Sequence, residues 1–332
     1  MTEHALTGEI VETALDIACR APSLHNSQPW KWVAHLGSTE NHSVDLFFDG
    51  DRMLPFTDQF GRQMIISCGA ALHHAQVSFA ALGFPMRVER FPDPQHPSHL
   101  ARLTLDSVDA ADIDIDLAAA ISRRSTDRLP FDDPADWNGH RAAFEVAAAA
   151  YGVAVHEIPA ERRAMLAQAS AQSAAERSYD DMYQAELSWW TGHSTEPEGV
   201  PRESLPSLAE RSRVSLSRAF PTTERAPRRP EIRADHSRVL ALTTPRDSHP
   251  QWLACGEALS AVLLTATARG LATCALTHLT EVPTARNLVA GLLGSMESPQ
   301  VLIRVGAASN PQSAHTRRRP LAEVLRITTD TP

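Results

Sequence analysis

Cysteine is scarce in this chain, and what there is forms no metal or redox pattern. Cys19, Cys68, Cys255 and Cys274 include no C-x-x-C pair, so a zinc site or a dithiol couple has no support. Each lies in a helix-like or apolar stretch, where a free thiol serves as a small hydrophobe. No uninterrupted apolar run approaches the ~20 residues of a membrane span. The first residues, MTEHALTGEIVE, carry acids where a secretory signal has a basic segment followed by an apolar one, and the cytoplasm is the expected compartment. No G-x-G-x-x-G follows a strand-like segment, so a separate dinucleotide-binding domain is not expected. Positive charge is also in deficit. Lys and Arg number 31 against 40 Asp and Glu, a net charge of −9, and an acidic surface argues against binding a nucleic-acid backbone. The 43% hydrophobic and 21% charged fractions over 332 residues are those of a globular protein of one large or two small domains.

What the chain does contain is a repeat. Residues 68–84 read CGAALHHAQVSFAALGF and residues 255–271 read CGEALSAVLLTATARGL. Cys68, Gly69, Ala71, Leu72 and Gly83 match Cys255, Gly256, Ala258, Leu259 and Gly270. The apolar residues between recur at helical spacing, and the last Gly suits a helix C-terminus. Strand-like segments precede both helices, at Trp30–His35 and Val44–Phe48, then Val153–Ile158 and Val239–Thr243. Another follows each, at 86–88 and 272–276. Two α+β half-units follow, residues 1–115 and 116–332. The second is lengthened by an insertion from Trp189 to Asp235 that holds six prolines together with Trp190, Leu205, Leu208, Val214, Leu216 and Phe220. Proline excludes long regular elements there, yet the segment is too apolar for a solvated linker. A long irregular loop packed over something, lid-like, is expected, preceded by helix over 160–190.

Three clusters carry chemistry. The run Arg20-Ala21-Pro22-Ser23-Leu24-His25-Asn26-Ser27-Gln28-Pro29-Trp30 follows an amphipathic helix and sets hydrogen-bonding side chains between two prolines. Arg123-Arg124-Ser125-Thr126-Asp127-Arg128 follows a second helix-like run, and Arg with Ser at a helix end suits an anionic phosphate. Arg317-Arg318-Arg319 lies near the C-terminus. Taken singly, these read equally as a polar loop, a solvated helix end and a basic tail.

Together they resemble one family. PSLHNSQPW is similar to the turn of the FMN-dependent nitroreductases. RRSTDR with Phe131 resembles their RRSxRxF phosphate motif, RRRPLAEVL their C-terminal basic motif, and GLATC their GLGTCW segment. The order RAPSxHNxQPW, SCGxALHH, RRxTDR, GVP (here Gly199-Val200-Pro201) resembles the Acg-type actinobacterial branch. The resemblance spans nearly the whole chain and implies an α+β nitroreductase-like fold with one departure. PSLHNSQPW opens the first half and RRSTDR the second, whereas in the family the RRSxR motif comes first. Family sites lie at a dimer interface, with RRSxR and the C-terminal basic residues from one subunit and PSxxN from the other. The resemblance therefore implies an intramolecular pseudo-dimer, monomeric as a chain, with one complete site and one FMN.

The resemblance also assigns roles. Arg123, Ser125 and at least one of Arg317–Arg319, with Arg318 and Arg319 foremost, are expected at the phosphate, with Arg124 and Arg128 next. Pro22, Ser23, His25 and Asn26 are expected along the isoalloxazine and ribityl chain, Gln28 at the ring edge, and Arg20 at the phosphate or its own helix end. Asp127 stands where the family has a base, so an ion pair with an Arg is the alternative for it. His73 and His74 read as core or surface residues, and His278 as the histidine more apt to face the flavin. The implied activity is NAD(P)H-dependent reduction of an unidentified small-molecule acceptor with no protein nucleophile. The alternative is an FMN storage protein under a closed lid.

Overall fold

The computed structural model describes residues 6–37, 42–106, 115–192, 198–309 and 316–328. Its first half runs α1 (Gly8–Ala18), β1 (Trp30–His35), β2 (Ser43–Phe48), α2 (Arg62–Ala81), β3 (Met86–Arg90) and β4 (His99–Leu105). The second begins with α3 (Ile115–Arg123), α4 (Trp137–Ala149), β5 (Ala154–Glu157), α5 (Arg163–Arg177), α6 (Asp181–Trp189) and the short α7 (Leu208–Arg211). It continues with β6 (Arg238–Thr244), α8 (His249–Ala268), β7 (Ala272–Leu276), α9 (His278–Glu281), α10 (Pro283–Leu293), β8 (Ser298–Gly306), α11 (Leu321–Val324) and β9 (Leu325–Thr328). None of the described helices is long and apolar enough to cross a membrane.

Every expected strand is present, and three more appear among the described residues, β4 in the first half and β8 and β9 in the second. β4 and β8 were not among the expected strands, although Leu100, Leu103, Val301, Ile303 and Val305 are buried in them. The added strands make two antiparallel sheets with one pattern. The first has the order β3-β4-β2-β1, the second β7-β8-β6-β5. Both carry a register shift at the same place, between Leu46 and Phe47 on β2 and between Leu242 and Thr243 on β6. β9 departs from the expected division at residue 115, because it crosses back to pair parallel with β1 at the edge of the first sheet.

Helices α2 and α8 are buried on nearly all sides, which is why they lack the one-sided apolar stripe of a surface helix. They cross at the matched glycines of the repeat. A β-carbon on Gly69 would overlap the Leu253 carbonyl oxygen and lie 2.9 Å from Gly256 Cα, and one on Gly256 would overlap the Ile66 carbonyl. Glycine is therefore required by backbone approach, and the contact lets both sheets share one core. Past the crossing, Ser260 of α8 meets His73 Nδ1 at 2.7 Å and His74 Nδ1 at 2.8 Å. These histidines are core groups, as expected, and burial pushes both toward the neutral form. The four cysteines are free and buried.

Gly69→Ala or Gly256→Ala forces backbone against backbone, so the helices must separate. Loss of about 3 kcal/mol or more is expected, at the upper end of overpacking penalties. Urea unfolding checks it. Gly291→Ala, where a β-carbon meets nothing within 4 Å, is the neutral control.

Candidate functional site

Between the turn after α1, the first turns of α2 and the end of β7 lies a cavity whose empty space, open solvent at its mouth included, is about 920 Å³. The turn contributes Pro22, Ser23 and His25, α2 contributes Ile66 and Ser67, and Cys274–His278 form the opposite wall. Thr126 and Arg128 enter from the second motif. The proline-rich segment closes one side with Pro206, Arg211, Val214, Ser217, Arg218 and Phe220.

The turn is held in an unfavourable backbone. His25, Asn26 and Gln28 have φ of 49°, 58° and 50°, a left-handed region that non-glycine residues seldom occupy and that strained functional sites often use. Its bonds explain how it persists. Ser23 Oγ accepts from Gln28 N at 3.0 Å, Asn26 Nδ2 donates to Arg317 O at 3.2 Å, and Gln28 Oε1 accepts from Arg319 N at 2.8 Å. Asn26 and Gln28 therefore tie the C-terminal basic run to the turn. Gln28 is 1% exposed and does not line the cavity. His25 does, with neither ring nitrogen hydrogen-bonded. Burial, then Arg218 and Arg128, holds it well below the usual histidine range. Its ring meets Phe220 edge-on at 5.6 Å.

Beside the cavity, three of the expected arginines converge. Burial and Arg20 lower Arg124 to about 10, and burial with Arg124 and Arg20 lowers Arg318 to about 9. Arg318 is oriented by backbone, donating to the carbonyls of Cys19 and Arg20 at 2.9 Å. Neither Arg124 nor Arg318 has an acidic partner among the described residues, and Arg124 Nε has no hydrogen bond. Ser125 lies next to Arg124 in the chain and is partly buried.

Two expected residues stand apart. Arg123 ends α3 exposed. That helix buries Ala120 and Ile121, and one turn on from Ala120 it is Arg124 that faces inward. Arg319 is paired with Glu323 at 3.3 Å and lies 3.8 Å from Asp49. Asp127 takes the ion pair that was the alternative for it, to the buried Arg229 of the proline-rich segment.

The Nitroreductase family profile matches residues 121–307. A Mycobacterium tuberculosis protein named "Putative NAD(P)H nitroreductase acg" is 45% identical over 98% of both chains. Another from that organism, "Putative NAD(P)H nitroreductase Rv3131", is 38% identical over 98% of this chain and 93% of its own. The chain belongs to the nitroreductase family. A crystal structure described as a "putative nitroreductase" from Anabaena variabilis has the same fold, with a TM-score of 0.50 at 10% identity over 90% of this chain and 88% of its own.

Sequence reasoning missed Arg211 and Arg218 as cavity residues but did name Phe220 as a candidate to pack against the flavin ring. Phe220 was noted for its apolar bulk, alongside Leu208 and Trp190. Leu208 is exposed, and Trp190 instead packs under Arg52, 5.8 Å from the guanidinium.

Within the proline-rich segment Glu210 is fully buried and accepts from Ser207 N and from Arg228, closing a capping box on α7. Burial raises its pKa, but the Arg228 hydrogen bonds outweigh this and bring it to about 2. A depressed carboxyl stabilises above its unfolded value of 4.5 and loses that contribution as pH falls through about 2. Tryptophan fluorescence should report loosening of the segment between these values, and Glu210→Gln should lose this step and be looser at pH 7. An unchanged acid titration in the variant would show that Glu210 does not hold the segment.

Proposed function

We propose that this protein is an FMN-dependent oxidoreductase using NAD(P)H, with one flavin per chain. The observation that carries the reading is the Arg20, Arg124 and Arg318 cluster opening beside a cavity walled by the PSLHNSQPW turn. The residues fit FMN. Arg124 is a buried and Arg318 a partly buried cation, neither with an acidic partner among the described residues, and a phosphate dianion would satisfy them with charge-assisted bonds. The cavity next to them is lined mainly by apolar groups, as a flavin ring requires. Arg20, Arg124, Arg318 and Ser125 would take the phosphate, and Pro22, Ser23, His25 and Arg128 would border the ring. Asn26 and Gln28 would act by holding the C-terminal arginines in place.

When bound, FMN supplies the redox chemistry, accepting hydride from NAD(P)H and passing electrons to an acceptor. The chain's own part is binding, orientation and exclusion of water. His25 and His278 are both held neutral at pH 7, His278 at about 3 through burial first and then Arg218. Neither is a cationic proton donor there.

The single site follows from reading the two sheets as fused copies, the boundary near residue 115 and the proline-rich segment a lid. The matched sheet orders, bulges and glycine crossing support that reading. At the positions equivalent to the cavity wall, Leu72, Val88 and Leu253 belong to the main core, as do Trp137, Phe144 and Tyr151. A chain that is its own pseudo-dimer is expected to be monomeric. Family membership favours turnover over FMN storage.

The purified protein should be yellow, release FMN and not FAD on denaturation, and saturate at one FMN per chain in titration of the apoprotein. Arg124→Ala and Arg318→Ala should each weaken FMN binding roughly 10- to 100-fold, the range for a charged hydrogen bond. Saturation at two flavins, or affinity unchanged in both variants, would overturn the assignment.

A further inference from the structure

The cavity has a charge balance that the flavin does not account for. Among the described residues lining it there is no Asp or Glu, but there are four arginines, Arg128, Arg211, Arg218 and Arg304. Two are neutralised from behind. Arg304 is paired with Asp235 at 2.8 Å. Arg218 is paired with Glu281 and donates to Tyr183 Oη at 2.8 Å and Thr277 Oγ1 at 3.0 Å. Arg128 and Arg211 have no acidic partner among the described residues, and both are organised around Phe220. The Arg128 guanidinium lies 5.2 Å over its ring, and Arg211 Nη1 donates to its carbonyl at 3.2 Å. Arg218 also lies 6.0 Å over the Phe220 ring, and His25, edge-on to it, is neutral and adds no negative charge. Arg211 ends α7, so it reaches the cavity from the proline-rich segment, whereas Arg128 comes from the motif after α3.

We propose that Arg211, with Arg128, selects an anionic ligand at the open face of the cavity. The ligand is a planar molecule bearing a carboxylate or phosphate that stacks beside Phe220 and places its charge between the two guanidiniums. This rests on the flavin reading for its redox consequence but not for the binding itself. Two sources share the chemistry, an acidic aromatic acceptor and the additional phosphate that distinguishes NADPH from NADH. A cation facing a low-dielectric cavity attracts such a group more strongly than one in open water. Arg211 is half exposed, so the lower end of the charged-hydrogen-bond range applies, about tenfold in affinity.

The test uses the full chain as purified and 4-nitrobenzoate against its neutral counterpart 4-nitrobenzamide. Calorimetry gives affinities with and without added FMN, and steady-state assays give kcat/KM for each acceptor and for NADPH and NADH. In the wild type, 4-nitrobenzoate should be preferred to the amide about tenfold. Arg211→Ala should abolish that preference, Arg211→Lys should restore part of it, and Arg211→Glu should reverse it, with FMN content equal throughout. If the NADPH-to-NADH ratio falls in Arg211→Ala and the acceptor ratio does not, the anion is the nucleotide phosphate. If both ratios are unmoved while FMN is bound, the proposal is overturned. Arg211-dependent binding of 4-nitrobenzoate to a chain that takes no FMN would sink the flavin reading and leave this one standing.

Discussion

The close approach of α2 and α8 at Gly69 and Gly256 is the constraint on which the remaining geometry depends. Two helices this near cannot be separated by side chains, so their axes are fixed by backbone contact alone. Because α2 also packs on α1, and α8 on α4, the crossing sets where both sheets stand. It also brings the turn after α1 opposite the end of β7. The cavity lies in the gap between them. Its shape is therefore a consequence of helix packing, and the loops that line it inherit their position from a rigid contact rather than from their own sequence.

The cations around that gap divide by how their burial is compensated. Burying a guanidinium without a partner is costly, and most arginines here are compensated by an acid. Arg229 meets Asp127, Arg304 meets Asp235, and Arg218 meets Glu281. Through them the proline-rich segment and its end are tied to the loop after α3 at Asp127, to β8 at Arg304 and to α9 at Glu281. They account for how a stretch with so little regular structure keeps a defined inner face. Arg124 and Arg318 are the contrast. They repel one another and Arg20, and carbonyl groups orient Arg318 without neutralising it. An arrangement that is unfavourable alone becomes favourable once an anion enters.

Much of this was legible in the sequence. Helical spacing and paired glycines located α2 and α8, and strand-like segments before and after them located β1, β2, β3, β5, β6 and β7. The turn between the two prolines reads by itself as a polar loop and was recognisable only through the resemblance of PSLHNSQPW to the family's turn. What was not legible is what depends on helix phase and on distant pairing. Arg123 and Arg124 are indistinguishable in a list of residues, and the burial of Ala120 decides which turns inward. Gln28 reads as a ring contact until its bond to Arg319 N shows that it serves the C-terminal segment. The return of β9 to the first sheet leaves no local mark, since its partner β1 lies almost a full chain length away.

The same reasoning explains why the proline-rich segment was the hardest part to read. Its prolines announce irregular backbone, and its apolar residues announce contact, but neither says which residues point inward. Phe220 and Leu208 are equally hydrophobic, yet Phe220 is buried on the cavity and Leu208 is 63% exposed. The difference is set by ion pairs. Arg218 is drawn to Glu281, two residues before Phe220, and carries that ring into contact with His25. Leu208 begins α7, whose inward side is taken by Glu210 and its bonds to Arg228. Charge pairing thus orients the apolar groups in this segment, the reverse of a regular helix, where an apolar face fixes the position of its charges.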